Sequence, residues 1–426
     1  MSNLLFKNAF ISCALLMSSN AMAQASFKIE GTTPKFKYNN SFSANFSARA
    51  LYDYYDFDAD FGELTGSPSR DENKNDALFK RAIWTMDGKI GTKLKYKLEH
   101  QYEGDAKASW DDAYIEYYQP GLSIYIGSNH QVNSLDGQNS SAIIQFSNRS
   151  LITNAFAMSA RNIGIAMRKY GKNWQLSAGI YGGSINLPMN RYFSSQRYFQ
   201  MRTTYAPINN KNEILHFGAS LRLRNRADEG LYSYSSRPIQ MAIGTQFLQT
   251  GSISKSDTTI GGEIFYAKGP FSTQFEKQNL SARTLDGNLN FHGAYWENSY
   301  FLTGETRTYS VVRGISDYVK PIHPLGKGGY GAVSIVSRLD YLDLQDGNLG
   351  KISAPITNWR NRGGIEYGYS IGINWHPVER VIIRTSYANT KFKATRGQIL
   401  QSSNLIDSPL GNGESKIFNI RTQMGF

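Results

Sequence analysis

From Phe42 onward the chain sorts its side chains by parity. Phe42, Ala44, Phe46, Ala48, Ala50 and Tyr52 share one face of an extended segment, while Ser43, Asn45, Ser47 and Arg49 share the other. In residues 92–103, Leu94, Tyr96, Leu98 and Tyr102 oppose Lys93, Lys95, Lys97, Glu99 and Gln101. Farther along, Leu215, Phe217, Ala219, Leu221 and Leu223 alternate with His216, Gly218, Ser220, Arg222 and Arg224. Period-two runs also cover 113–117, 122–127, 163–167, 174–180, 260–267, 271–276, 294–302, 332–344, 367–375 and 381–387. Alternation over about 5 to 11 residues is the mark of a strand with two unlike faces. The final stretch places Phe418, Ile420, Thr422, Met424 and Phe426 on one parity and ends on an aromatic residue, as outer-membrane β-barrels do.

A soluble sandwich would account for any single run, but their number and spacing favour one closed structure. The pattern predicts an all-β, transmembrane antiparallel β-barrel over residues 41–426, with apolar side chains in lipid and polar ones in a lumen. Arg49 then points inward, and Lys93, Lys95, Lys97, Arg222 and Arg224 form a basic ladder along the lumen wall. Brief connections at Gln119, Pro120 and Gly121, at Lys268, Gly269 and Pro270, and at His376, Pro377 and Val378 read as periplasmic turns. Long polar stretches at 56–76, 132–152, 233–258 and 345–363 read as outer loops. No composition break marks a second domain.

Residues 1–23 carry Lys7, then an apolar run from Ala9 to Met17, then Ala21, Met22 and Ala23. This is the layout of a secretory signal with a small-x-small cleavage site, too short for a bilayer span of about 20 apolar residues. The single cysteine, Cys13, lies within it, so the mature chain is expected to hold no disulfide or thiolate metal site. Residues 24–40 are weakly patterned and read as a periplasmic N-terminal extension.

Hydropathy is negative overall, and no later apolar run is long enough for a membrane helix. The 27 Tyr, 23 Phe and 39 Gly against 12 Pro suit aromatic strands joined by flexible turns. A formal charge of +12 favours anionic partners, yet no basic block has nucleic-acid motif spacing. An enzyme would need a nucleophile with a base or clustered carboxylates. The six histidines are scattered, and His216 and Ser220, four residues apart on a strand, stand about 13 Å from each other, too far for proton transfer. We therefore expect no enzymatic activity and no cofactor. A plugged receptor or adhesin barrel is the remaining alternative, and it would be closed to ions.

Several segments resemble the phosphate-selective porins of the O and P type from Gram-negative outer membranes. They are Leu78-Phe79-Lys80-Arg81-Ala82-Ile83 followed by Gly88, Trp110 through Tyr117, Tyr300 through Tyr309 with its Thr-Gly-Glu-x-Arg-x-Tyr pattern, Arg338 through Leu344, and Gly372 through Pro377. The resemblance spans about Ser41 to Phe426. It implies a porin of about 16 strands, a homotrimer, with the third loop folded into the lumen and small anionic solutes passing by diffusion. That loop should be 127–150. By resemblance Arg149 is its arginine, Ser140 and Ser141 its serine pair, and Asp111 an acidic group on the facing strand. Arg49, Lys80 and Arg81 resemble a basic cluster on the first strands. Lys80 and Arg81 have opposite parity, so one faces the lumen unless a bulge re-aims the other; Arg81 is preferred, because Trp84 and Met86 share the parity of Lys80. Guanidinium and ammonium donors replace an anion's hydration shell while hydroxyls complete its hydrogen bonds.

The chain departs from that pattern twice. Gly137 stands where the family has a central lysine, and Ser235, Ser236, Arg237 and Pro238 stand where its fifth loop is richer in arginine. Losing such a charge-assisted contact weakens anion binding by about 1–3 kcal/mol. The residues fit an anion-preferring or a non-selective small-solute porin, oligosaccharides included, better than a phosphate-specific one.

Overall fold

The computed structural model describes residues 25–30, 33–60, 72–104, 107–158, 160–187, 196–239, 248–284, 287–346, 363–394, 397–401, 404–408 and 412–426. The expected signal segment 1–23 and most of the expected loop 345–363 lie outside these residues. A hairpin of β1 (Ala25–Glu30) and β2 (Thr33–Tyr38) comes first, with β2 pairing the opening residues of β3 (Phe42–Asp60). β4 (Glu72–Ile90), β5 (Leu94–Glu103), β6 (Ala108–Gln119), β7 (Leu122–His130), β8 (Arg161–Tyr170), β9 (Trp174–Tyr181), β10 (Gln196–Asn209) and β11 (Glu213–Arg226) follow as antiparallel neighbours. A side hairpin of β12 (Tyr232–Ser236) and β13 (Leu248–Ser254) precedes β14 (Ser256–Lys268), β15 (Phe271–Thr284) and β16 (Gly287–Phe301). A small hairpin, β17 (Tyr309–Ser310) with β18 (Ile315–Ser316), interrupts the path to β19 (Ala332–Asp343), β20 (Gly364–Val378) and β21 (Val381–Ala394). A last side hairpin, β22 (Gly397–Gln401) and β23 (Asn404–Ser408), leads into β24 (Asn412–Gly425).

β24 pairs with both β21 and β3, so sixteen strands close into an antiparallel barrel with the three side hairpins and the β1–β2 hairpin outside the count. Closure is required: no water in a bilayer core can satisfy an open edge, and each unmet N–H or C=O there costs several kcal/mol. The seam is fastened in register. Arg421 faces Asp53 across it, and its Nε and Nη2 donate to both carboxylate oxygens at 2.6 Å. Ala48 and Phe426 exchange backbone hydrogen bonds of 2.9 Å at its end.

The two-faced reading of the strands holds around the wall. Leu51, Tyr55, Phe57 and Ala59 of β3 are buried while Tyr52 and Tyr54 between them are exposed. On β20, Tyr367, Tyr369, Ile371 and Ile373 face outward, with Glu366, Ser370 and Asn374 buried inside. β3 runs on to Asp60 and β4 begins at Glu72, so both ends of the expected 56–76 loop are strand. β10 was not marked by the sequence pattern at all. Connections between strands are brief at one end and mostly long at the other, those at 104–107 and 285–286 being brief as well, the arrangement in which the end with brief turns faces the periplasm. Residues 302–331 break that division: this long segment, holding β17 and β18, leaves from the short-turn end.

Two β-bulges change which charges point inward. Leu51 pairs with Arg81 and the next residue, Tyr52, with Phe79, so Lys80 is the extra residue. Lys80 and Arg81 therefore both turn to the interior, where Lys80 lies among Arg421, Asp53 and Glu103. On the β5–β6 pair, Leu98 opposes Ala113 and His100 opposes Trp110, leaving Asp111 and Asp112 across from Glu99. A bulge places two residues against one and re-aims them.

Truncating Arg421 to Ala strands the Asp53 carboxylate in the seam. We expect it to lower stability by about 3–5 kcal/mol, read by equilibrium urea unfolding in micelles, with a much smaller loss in an Arg421→Met/Asp53→Leu double variant; equal losses would mean that the pair does not fasten the seam.

Candidate functional site

The connection from β7 to β8, residues 131–160, turns into the barrel and is held there by side chains of the far wall. It contains two short helices. α1 (Leu135–Gln138) is capped by Ser134, whose hydroxyl accepts from Gly137 N, and α2 (Leu151–Ala155) by Ser150, which accepts from Thr153 N. Asp136 ties them together by accepting from the Ser150 N and Oγ, both at 3.0 Å. The exposed amides at the start of α1 meet buried carboxylates, as helix N-termini favour: Leu135 N donates to Glu263 and to Glu276 at 2.8 Å, and Asp136 N to Glu276 at 2.9 Å. Leu151 N donates to Asp340 at 3.0 Å.

The loop's carbonyls are met by arginines. Arg222 donates to Phe156 O at 2.5 Å, Arg338 to Asn148 O at 3.1 Å, Arg384 to Ala142 O at 3.0 Å, and Arg421 to Ser147 O. Asn374 reaches Gln145 O at 2.8 Å. Beneath, Leu151, Ile152, Phe156 and Met158 join one apolar cluster with Leu280, Phe291 and Leu342. A buried loop is stable only if its backbone polar groups find partners, and this one finds them along the strands from β11 to β24.

The segment 302–331 is moored to the same wall. Arg202 of β10 donates to Gly314 O at 2.7 Å, and Arg307 of the segment donates to Gln274 of β15 at 3.4 Å. His216 Nδ1 lies 2.5 Å from the Tyr309 hydroxyl and its Nε2 lies 2.9 Å from Glu263. His216 is thus a packing link.

What stays open is a passage of about 970 Å³ on the opposite side, lined by β3 to β8, the inner edge of the 131–160 loop and residues 312–318. Among the described residues, nine cationic side chains line it, Arg49, Arg81, Lys95, Lys97, Arg149, Arg161, Arg168, Arg313 and Arg380, against six side-chain carboxylates, Asp87, Glu99, Asp111, Asp112, Glu116 and Asp317. Lys97 is 2.6 Å from Asp112 and 3.0 Å from Glu99, and Arg161 is 3.0 Å from Asp112 and 3.6 Å from Asp111. Lys95 sits 3.6 Å over the Tyr118 ring and 3.7 Å from Glu116. Four guanidinium groups rest instead on neutral side-chain oxygens: Arg49 donates to Ser140 and Ser141 at 3.2 and 3.4 Å, Arg81 to Gln101 at 2.9 Å, Arg168 to Tyr125 at 3.0 Å and Arg380 to Thr33 at 3.5 Å.

A closed barrel whose third outer connection is moored inside it, beside a cation-rich passage, is accompanied by a family match over residues 53–398, to phosphate-selective porin O and P. The chain belongs to that family. Porin O of Pseudomonas aeruginosa is 24% identical over 434 residues, covering 90% of this chain and 93% of that protein. An uncharacterized protein of Caulobacter vibrioides is 25% identical over 312 residues, 71% of this chain, and the chain spans 60% of that relative's length. The anion-selective porin from Comamonas acidovorans has the same fold, with a TM-score of 0.52 at 12% identity, covering 90% of this chain and all of that one.

In this porin the sites named from the sequence divide. Arg49, Arg81, Lys95, Lys97, Asp111, Ser140 and Ser141 meet at the passage, and Arg149 borders it. The Arg149 guanidinium is engaged by its own loop, donating to the carbonyls of Asp136 and Asn139. Lys93 is corrected: it lies in the exposed turn between β4 and β5, outside the lumen. Arg222 and Arg224 do point inward, but under the moored loop and the β12–β13 hairpin; Arg224 binds Asp257 and lies 3.8 Å from the Tyr232 ring, so neither lines open water. Arg237 is exposed beside β12, away from the passage. Arg161 and Arg168 were missed; the alternation of Ile163, Ile165 and Met167 implied an inward Arg168 on the other parity.

Gly137 explains itself sterically. A Cβ there would stand 2.2 Å from Met158 O and 2.4 Å from Asn133 Oδ1, and the residue does not border the passage. We therefore expect Gly137→Lys to lower the thermal midpoint and raise single-channel conductance by loosening the loop. A stable variant with stronger phosphate block of the current would show instead that the position faces the passage.

Proposed function

We propose that this protein is a water-filled outer-membrane channel for passive diffusion of small solutes with a preference for anions. The observation that carries the reading is the passage lining, in which cations exceed side-chain carboxylates by three among the described residues. Arg49, Arg81 and Arg168 rest on hydroxyl and amide oxygens. Such guanidinium groups keep their charge for a passing ion, and the hydroxyls beside Arg49 complete its hydrogen bonds. Family membership and the name of the Comamonas acidovorans porin agree with this direction.

Within that reading phosphate meets a weak site. Arg49 with Ser140 and Ser141 offers a guanidinium and two hydroxyls, but Glu99, Asp111 and Asp112 stand on the facing strands and bind Lys97 and Arg161. We also propose a homotrimer joined along β5 to β9, whose strands of 8 to 12 residues form a low wall with Ile126, Ile165 and Ile180 exposed outward.

The test is a reversal potential across a planar bilayer under a salt gradient. The wild type should favour chloride over potassium. One charge at about 4 Å is worth about 1 kcal/mol in water, so Arg49→Ala and Arg81→Ala should each lower the anion preference by about fivefold, and Asp111→Asn should raise it. Cation preference in the wild type would overturn the proposal.

A further inference from the structure

Outside the lumen, the outer wall carries a second concavity that diffusion through the barrel leaves unused. It is a groove of about 570 Å³ bordered by Ile180, Arg197, Phe199, Leu223, Arg283 and Asn288. These side chains point away from the lumen, since Tyr198, Arg224 and Ala282, which alternate with them, are buried inside. Strand register places the polar members in one row: Arg197 pairs with Asn225, Asn225 with Ser256, Ser256 with Arg283, and Arg283 with Asn288. The row below reads Phe199, Leu223, Thr258 and Ser281.

The height of that row identifies what it meets. Arg197, Asn225, Ser256 and Arg283 each stand twelve residues from the short-turn end of their strand. At about 3.4 Å per residue and a tilt of about 40°, this is about 30 Å above the short turns, the thickness of a bilayer's hydrocarbon core. The two arginines therefore lie at the headgroup level of the outer leaflet, with Phe199 beneath Arg197, Leu223 beside it and Ser281 beneath Arg283. They are three strands apart, about 14 Å, a span that matches phosphates at the two ends of a disaccharide. The outward face of β15 continues downward from Arg283 through Ser281, Asn279 and Lys277. At the corresponding face of β20 the wall shows Tyr367, Tyr369, Ile371 and Ile373.

We propose that this groove binds a bisphosphorylated glycolipid of the outer leaflet, Arg197 and Arg283 each taking one phosphate and Phe199 and Leu223 the adjoining acyl chains. Arginine matches phosphate bidentately, as a fork of parallel donors.

The test compares wild-type protein with an Arg197→Ala/Arg283→Ala variant, each reconstituted with bisphosphorylated lipid A or with dephosphorylated lipid A. Lipid retained through detergent purification is counted by native mass spectrometry. The wild type should retain the phosphorylated lipid at least tenfold better than the dephosphorylated one, and the double variant should lose about that factor, a difference of about 1.4 kcal/mol. Single-channel conductance should be unchanged in the variant, which verifies that it is folded, and Arg197→Lys/Arg283→Lys should retain part of the binding. Equal retention of both lipids by the wild type, or undiminished retention by the folded double variant, would overturn the proposal. Release of the bound lipid by excess inorganic phosphate would also overturn it, in favour of a small-anion site.

Discussion

Everything in this protein follows from the need to give each backbone N–H and C=O a partner in a medium that offers none. For the strands the answer is closure: β24 pairs with β3, and no edge of the barrel faces hydrocarbon. The same constraint then falls on the connection 131–160, a stretch of chain with little regular ladder that is buried inside the cylinder. Its amides are met by Glu263, Glu276 and Asp340 and its carbonyls by Arg222, Arg338, Arg384 and Arg421. Much of the interior charge is thus structural, spent on positioning a loop.

That division of labour accounts for the asymmetry of the lumen. Strands β11 to β24 form a mooring wall, most of whose charges pair with backbone or with each other, and an apolar cluster lies beneath α2. Strands β3 to β8 form the conducting wall, where bulges bring Lys80 with Arg81, and Asp111 with Asp112, to the interior. Both bulges concentrate charge that regular alternation would have sent half into lipid. The result is a lining of mixed sign with a cationic excess, and the guanidinium groups left on neutral oxygens carry that excess.

Much of the barrel was legible because its signal is parity. Leu94 to Gln101 and Leu215 to Arg224 alternate cleanly, and β5 and β11 cover them. β10 was invisible because its inward Gln200, Arg202 and Thr204 alternate with Met201, Thr203 and Tyr205, leaving neither face distinctly apolar. Lys80 was ambiguous because a bulge is a one-residue insertion that parity arithmetic cannot see. For the candidate site, parity separated inside from outside but could not separate open water from buried loop. Arg222 and Arg49 are both inward; what differs is which part of the 131–160 loop lies over them, and that is set by contacts far apart in sequence. The inward course of residues 302–331 was hidden for the same reason, since Arg202 and His216, which hold it, precede it by roughly a hundred residues.

Glu263 sits where these threads cross. One oxygen accepts from Leu135 N of the third loop, while the other meets Arg202 at 2.5 Å and His216 at 2.9 Å, the two side chains that anchor residues 309–314. A single carboxylate therefore joins an insert arriving from the cell exterior to one arriving from the periplasmic mouth. Shifting either insert removes a ligand from the charge that steadies its counterpart, so the bore behaves mechanically as one aperture with a shared fulcrum instead of two independent sleeves.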